Sequence, residues 1–348
     1  MSSVTPQLFN DDGPQPHLVI ATEYVLNALA YLPDGRRIVT GFEDGTVTVW
    51  NVEDGKQEGS SMQHENGVNG LVATRDGKKI ISCEGEGGIK VWDVESHQLV
   101  KEWTHPEEGP SIAVSPDDQL IAVGLRTVFI YAMEEGWRVI QSIEVCEKVW
   151  SMSFSPDSGK LACVANHDIV VYDASNGALI LGPITGHEHS IWSLLWSHDG
   201  NRLFSGSWDR TIGCWNSDTE EPIGHPWTGH TEFISSLSLS PDGSILASAS
   251  NDHTVRFWDT SSGCSIGQPL RHDGGVHTVS FSPSGEFVAS ARSDGKIYFW
   301  RVSTTVPSYL KLPSTLPNIH RALSPAVDQY AISNFKYVIL EACVTDLT

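Results

Sequence analysis

Basic residues are scarce in this 348-residue chain: 22 lysines and arginines stand against 43 aspartates and glutamates, a net charge of −21. A surface that acidic repels phosphate backbones and anionic head groups, so nucleic acid and membranes are excluded as expected partners. No apolar run approaches the roughly 18 residues of a membrane span. The first residues, MSSVTPQLFNDDGPQPH, have neither the basic start nor the apolar stretch of a signal peptide. A cytoplasmic, intracellular location is expected.

Chemistry-bearing motifs are equally thin. The six cysteines, Cys83, Cys146, Cys163, Cys214, Cys264 and Cys343, contain no C-x-x-C and no framework spacing, so free thiols are expected rather than disulfides or zinc ligands. Gly159-Lys160 is followed by Leu161 rather than Ser or Thr, and the other Gly-Lys pairs belong to Asp-Gly-Lys turns, which excludes a phosphate loop. Neither a nucleophile elbow nor H-E-x-x-H occurs. No catalytic residue, metal or cofactor is expected.

What the chain does have is a period. ITGHEHSIWSLLWSHDGNRLFSGSWDRTIGCWN (184–216) and WTGHTEFISSLSLSPDGSILASASNDHTVRFWD (227–259) align without a gap. In each, alternating apolar runs are broken by Asp-Gly and Asn-Asp or Trp-Asp turns, the chemistry of strands and hairpins. The aromatic ending the third run recurs as Trp50, Trp92, Tyr131, Tyr172, Trp215, Trp258 and Trp300, at intervals of 39 to 43 residues. With Gly186-His187, Asp209 and Trp215-Asn216, then Gly229-His230, Asp252 and Trp258-Asp259, these units resemble the WD-repeat family of β-propellers.

The resemblance implies an all-β, closed propeller of four-stranded antiparallel blades, occupying residues 17–345 after a disordered tail at 1–16. Eight blades are favoured. LSPAVDQYAISNFKYVILEA (323–342) keeps Ser324, Pro325, Ala331 and Ile339 in register with Ser115, Pro116, Ala122 and Ile130, which reads as a worn eighth repeat over about 303–345. The alternative is seven blades with a C-terminal extension. HLVIAT (17–22), an orphan outer strand before the first inner strand, is expected to complete the last blade and seal the ring.

Histidine recurs at one slot, as His64, His105, His187, His230 and His272. Ring symmetry puts equivalent positions in different blades, whereas zinc needs its ligands within about 2.0–2.3 Å of one point. The resemblance implies instead a hydrogen-bonded tetrad within each blade: His187, Ser207, Asp209 and Trp215, and likewise His230, Ser250, Asp252 and Trp258. Elsewhere Phe42, Glu84 and Arg292 fill the Ser slot, Glu86 replaces the turn Asp, and Thr22 and Val145 fill the His slot. Those blades are expected to rely on apolar packing.

Strands are spent on packing, so function belongs on the rim. Three positions per repeat are expected on the face bearing the Gly-His loops: Tyr24, Leu26 and Glu43; Lys148 and Trp150; Ser190, Trp192 and Trp208; Phe233, Ser235 and Asn251; Gly275, His277 and Ser293. Trp150, Trp192, Trp208 and Phe233 fall on adjacent blades four to six and form the expected partner-binding surface, with His189, Tyr24 and His277 as further members. Exposed aromatics dominate interface energetics because they bury much area and lose few rotamers. The expected partner is a protein or peptide of basic character, held by a monomeric, non-catalytic scaffold. Acidic pairs Glu107-Glu108, Glu134-Glu135 and Glu220-Glu221 read as solvated charge in turns and strand-joining loops, with steering of a basic partner as the alternative. The alternative is a propeller enzyme or small-ligand receptor, whose acid and base groups would have to converge on the central channel.

Overall fold

Alternating side chains and Asp-Gly turns fold here as hairpins, stacked side by side into blades. The structure, a computed structural model, describes residues 13–306 except 107–110, 135, 146, 293 and 305. Blade six shows the plan: Ile234–Leu239, Ile245–Ser250, Thr254–Asp259 and Ser265–Arg271 pair in chain order, all antiparallel. The second strand is buried along its whole length, because neighbouring blades cover both of its faces. The outer strand is largely open to solvent, with Leu270 its buried residue.

Seven such sheets are present among the described residues, with blades over 26–63, 68–104, 111–144, 149–184, 191–216, 234–271 and 276–301. Blade five has three strands. Its fourth place is taken by a chain making only two bridges, Trp215 to Pro222 and Ile212 to Trp227. Pro222 and Pro226 lack the N–H that a ladder requires.

The core is distributed between blades rather than within them. Each of seven apolar clusters draws on two adjacent blades. One of them joins the ends of the ring: Leu26, Leu29 and Tyr31 of blade one pack with Ala289, Ala291 and Phe299 of blade seven. The inner strands Val276–Phe281 and Leu26–Tyr31 are in direct contact.

The expectation of eight blades is therefore corrected to seven. Blades seven and one already bury each other's apolar faces, so the ring has no gap as wide as a blade. The strand Leu18–Ala21 pairs with Lys296–Arg301 of blade seven, in the register Leu18 to Phe299 and Ile20 to Ile297. His17 N and Thr22 N extend that ladder to Phe299 O and Gly295 O. The N-terminal strand does close the last blade, and that blade is the seventh. Of the supposed eighth repeat, Val302–Thr304 forms a 3-10 turn, and Val302 and Val306 pack between blades six and seven. Its remaining residues, 307–345, lie outside the described residues, as does the tail 1–12.

Serine and aspartate recur because the turns need them. On the face opposite the Gly-His loops, Ser115, Ser155, Ser197 and Ser240 each donate to the Asp two residues on, at 2.5–2.6 Å. Cys163 and Cys214 are buried free thiols; Cys83 is buried as well, its Sγ donating to Gly70 O, and burial pushes it up to about 12. Cys264 departs from the expectation of free thiols and is disulfide-bonded; Cys146 and Cys343 lie outside the described residues.

Candidate functional site

The Gly-His loops are pinned from inside each blade. His187 Nδ1 lies 2.7 Å from Asp209 Oδ2, His187 Nε2 lies 2.7 Å from Ser205 Oγ, and Trp215 Nε1 donates to the same hydroxyl at 2.8 Å. The Asp209 carboxylate can only accept, so the imidazole donates Nδ1–H to it; Nε2 of the neutral ring then accepts the Ser205 proton, while Ser205 Oγ accepts from the indole. Blade six repeats the chain through His230, Asp252, Ser248 and Trp258. Burial alone would raise the pKa values of Asp209 and Asp252, but the histidine and threonine hydrogen bonds outweigh it and lower both. The glycine before His187 is required by the same indole: a Cβ on Gly186 would stand 2.6 Å from the Trp215 ring, and one on Gly229 would stand 3.2 Å from the Trp258 ring.

The expected serines, Ser207 and Ser250, are not members. They share a strand face with Ser205 and Ser248 but lie two residues nearer the rim, where Ser207 Oγ donates to His189 O and Ser250 Oγ to Glu232 O. The indole cannot reach them: Trp215 is paired with Leu203, so Ser205 is its diagonal neighbour. With the slot corrected, blades one, two and seven keep it as Thr40, Ser82 and Ser290, each accepting from Trp50, Trp92 or Trp300. Glu84 takes over the turn carboxylate's part in blade two, accepting from Glu65 N and Asn66 N beside His64. Arg292 in blade seven pairs with Asp273 and Asp294. Burial lowers His64 and His272 to about 4.

Above these pinned loops lies a ladder of rings. Trp150 and Trp192 stack at 5.7 Å between centroids and 6° between planes and Trp192 and Trp208 at 5.5 Å and 16°, while Trp208 and Phe233 meet tilted, at 5.3 Å and 35°. The tryptophans are 46, 37 and 46% exposed, against 5 and 1% for Trp215 and Trp258, which separates a surface array from core. Phe233 is half-buried. Buried Val149, Ile191 and Ile234 explain the arrangement, since strand alternation turns Trp150 and Trp192 away from the core. Trp208 is held through its N–H to Ser190 O, and Phe233 through its carbonyl to Asn251 N. The Lys148 ammonium lies 5.8 Å from the Trp150 ring centroid, capping one end.

The ladder stands on laced inner strands, a feature absent from the sequence reading. Leu194 N donates to Ser151 Oγ, Leu237 N to Ser193 Oγ, and Val279 N to Ser236 Oγ, each across a blade boundary. Ser235 and Asn27 likewise tie their blades to the next through Val276 O and Val68 O.

Other expected members do not join the ladder. His189 is an exposed loop residue whose carbonyl receives the Ser207 hydroxyl, and His277, on blade seven, is exposed. Tyr24 is 50% exposed but belongs to the loop before blade one. None of the three makes a ring contact with the ladder among the described residues. Leu26, expected on the rim, is buried: the blade-one strand starts at Leu26 itself, so Val25 and Asn27 hold the equivalent positions. Ser293, Glu107, Glu108 and Glu135 lie outside the described residues. Glu220 is engaged with blade four, accepting from Gly182 N of the outer strand Leu179–Ile184 at 2.9 Å.

The channel mouth on the opposite face encloses about 550 Å³, lined by apolar groups including Tyr31, Leu71, Val114 and Phe281. Among the described residues Arg75 is the one charged member of that lining, and none of them supplies an acid to pair with it.

The "WD domain, G-beta repeat" model matches residues 16–51, 55–93, 180–216, 221–259 and 264–301. The chain belongs to the WD40 family. The unmatched residues 94–179 include WD40 blades three and four, where Val123 and Cys163 stand in place of Ser205 and Val145 replaces the histidine. Among curated relatives, "Intraflagellar transport protein 122 homolog" of Mus musculus is 36% identical over 84 residues, 24% of this chain and 7% of that protein. "Periodic tryptophan protein 2" of Saccharomyces cerevisiae is 36% identical over 203 residues, 57% of this chain and 18% of that one. "Small ribosomal subunit protein RACK1z" of Arabidopsis thaliana is 29% identical over 125 residues, covering 30 and 38%. This WD40 chain thus spans well under two thirds of the length of each. Among the described residues, no helix is long and apolar enough to cross a membrane.

Proposed function

We propose that this WD40 propeller is a non-catalytic, intracellular interaction scaffold, and that it holds a protein or peptide segment on the aromatic ladder of blades four to six. The observation that carries the reading is the ladder itself. Three tryptophans left open to water side by side form an apolar patch of the kind that marks interfaces, and such rings are the usual anchors of binding energy. A chain of net charge −21 favours a basic partner, steering its approach more than fixing its final affinity.

Binding of basic apolar peptides to the wild type and to a Trp192→Ala, Trp208→Ala double variant tests this. Loss of two anchors at roughly 1–2 kcal/mol each predicts at least a 30-fold weaker Kd. Equal affinity in a folded double variant overturns the reading. The rival, a small-ligand receptor in the channel, is favoured by one observation: the Tyr31 hydroxyl, buried beside the lower mouth, has no hydrogen-bond partner among the described residues. A metabolite that raises the melting temperature equally in wild type and double variant would support that rival.

A further inference from the structure

The ladder also says what shape of segment fits it. We infer that its occupant is a basic amphipathic α-helix laid along the row of rings, an inference that rests on the rim reading above. Successive centroids are separated by 5.7, 5.5 and 5.3 Å. A helix repeats each 5.4 Å turn, so one apolar side chain per turn, from positions i, i+3 or i+4, i+7 and i+11, meets each step of the ladder in register. A β-strand presents same-face side chains about 6.6–6.8 Å apart. A polyproline helix presents them about 9.3 Å apart. Both lose register within three steps.

The rings form an open row rather than a cluster. Each makes its ladder contact only with the next, and no contact between Trp150 and Trp208 or between Trp192 and Phe233 occurs among the described residues. The row therefore accepts a rod of about three to four turns, roughly 11 to 15 residues. A short isolated helix is marginal in water, so the partner's helix is ordered by the rings or by its own parent protein.

Charge sets the other face. Glu147, Glu188 and Glu232 are all exposed in the loops that lead into the inner strands of blades four, five and six, beside the ladder residues. The basic groups nearby are Lys148, already over the Trp150 ring, Arg210, and the exposed Arg126, whose carbonyl receives Val145 N beside the loop into blade four. With the net charge of the whole chain, this favours lysine and arginine on the helix face turned from the rings.

Three 15-residue peptides of matched charge test the inference against the full chain. The first places leucines at helical spacing among lysines, the second rearranges the same residues into strict alternation, and the third is a basic proline-rich peptide. Dissociation constants are read by fluorescence anisotropy for the wild type, Trp192→Ala/Trp208→Ala, and the single variant Trp208→Ala in case the double variant misfolds. The helical peptide should bind at least about tenfold tighter than either competitor and lose about 30-fold when the anchors are removed. A competitor that binds as well as the helical peptide, and still depends on the tryptophans, overturns the helix and leaves the rim reading standing. Binding of every peptide that is indifferent to the tryptophans overturns both.

Discussion

At the residue scale, two serines one strand-repeat apart have different duties. Ser248 holds His230 and the Trp258 indole together, whereas Ser250 secures the Glu232 carbonyl and Asp252 N. Ser248→Ala leaves a fully buried indole N–H without an acceptor and should cost about 1–3 kcal/mol. A double-mutant cycle should show coupling of Ser248→Ala with Trp258→Phe and none of Ser250→Ala with Trp258→Phe; the reverse pattern would sink the assignment. The histidine, aspartate and tryptophan of the tetrads in blades five and six follow from the resemblance to the WD-repeat family, and the hydrogen bonds bear those three members out. The serine was not legible, because side chains two apart on a strand face the same way and sequence spacing cannot choose between them. Titration gives a second test at this scale. His272 is held neutral down to about 4, while in the unfolded chain it protonates near 6.5. Between those values the unfolded chain binds more protons, so stability is present above about 6.5 and lost as pH falls toward 4. Asp209 and Asp252, lowered by their partners, contribute above the unfolded value near 3.9 and lose that contribution below it. Melting temperature should decline between pH 7 and 4.5, less steeply in His272→Gln; parallel curves would show that the buried imidazole has no such role.

Strands decide which residues act together at the next scale. The repeat pattern put Trp150 and Trp192 at rim positions, with burial between blades as the alternative, and their exposure on the strands Val149–Phe154 and Ile191–Trp196 decides for the rim. That these rings stack with planes 6 and 16° apart was not legible, since stacking depends on how neighbouring blades are offset. Blade one was misread by a single residue because the loop Thr22 to Val25 gives no sign of where the strand begins, and one step exchanges rim for core. The inner-strand serines that lace blades four to seven passed unnoticed among many turn serines. The closing strand carries its own prediction. Leu18–Ala21 satisfies the edge of Lys296–Arg301 and buries Ile20 between blades seven and one. Deleting residues 1–22 should expose that edge and lower the melting temperature by several degrees or cause aggregation. An unchanged melting curve would mean that the strand contributes nothing to closure.

For the whole molecule, the number of blades is set by the angle at which each packs on the next, a sum over the ring that no single repeat records. The period of about 42 residues made the propeller legible, and four matching residues in a weak stretch suggested one blade too many. The seam between Leu26 and Phe299 settles it at seven. That seam leaves the ladder on one arc of a rigid ring, opposite the turn-lined face, so one side of the disc is proposed to bear function. Photochemical cross-linking measures this most directly, with a photoreactive phenylalanine analogue placed at Trp208 on the ladder, and in separate proteins at Leu179 on an outer strand and at Pro241 on the opposite face. The account predicts that a partner captured from the native source is cross-linked at position 208 and at neither control. Cross-linking that is equal at all three positions, or concentrated at 179 or 241, would contradict it.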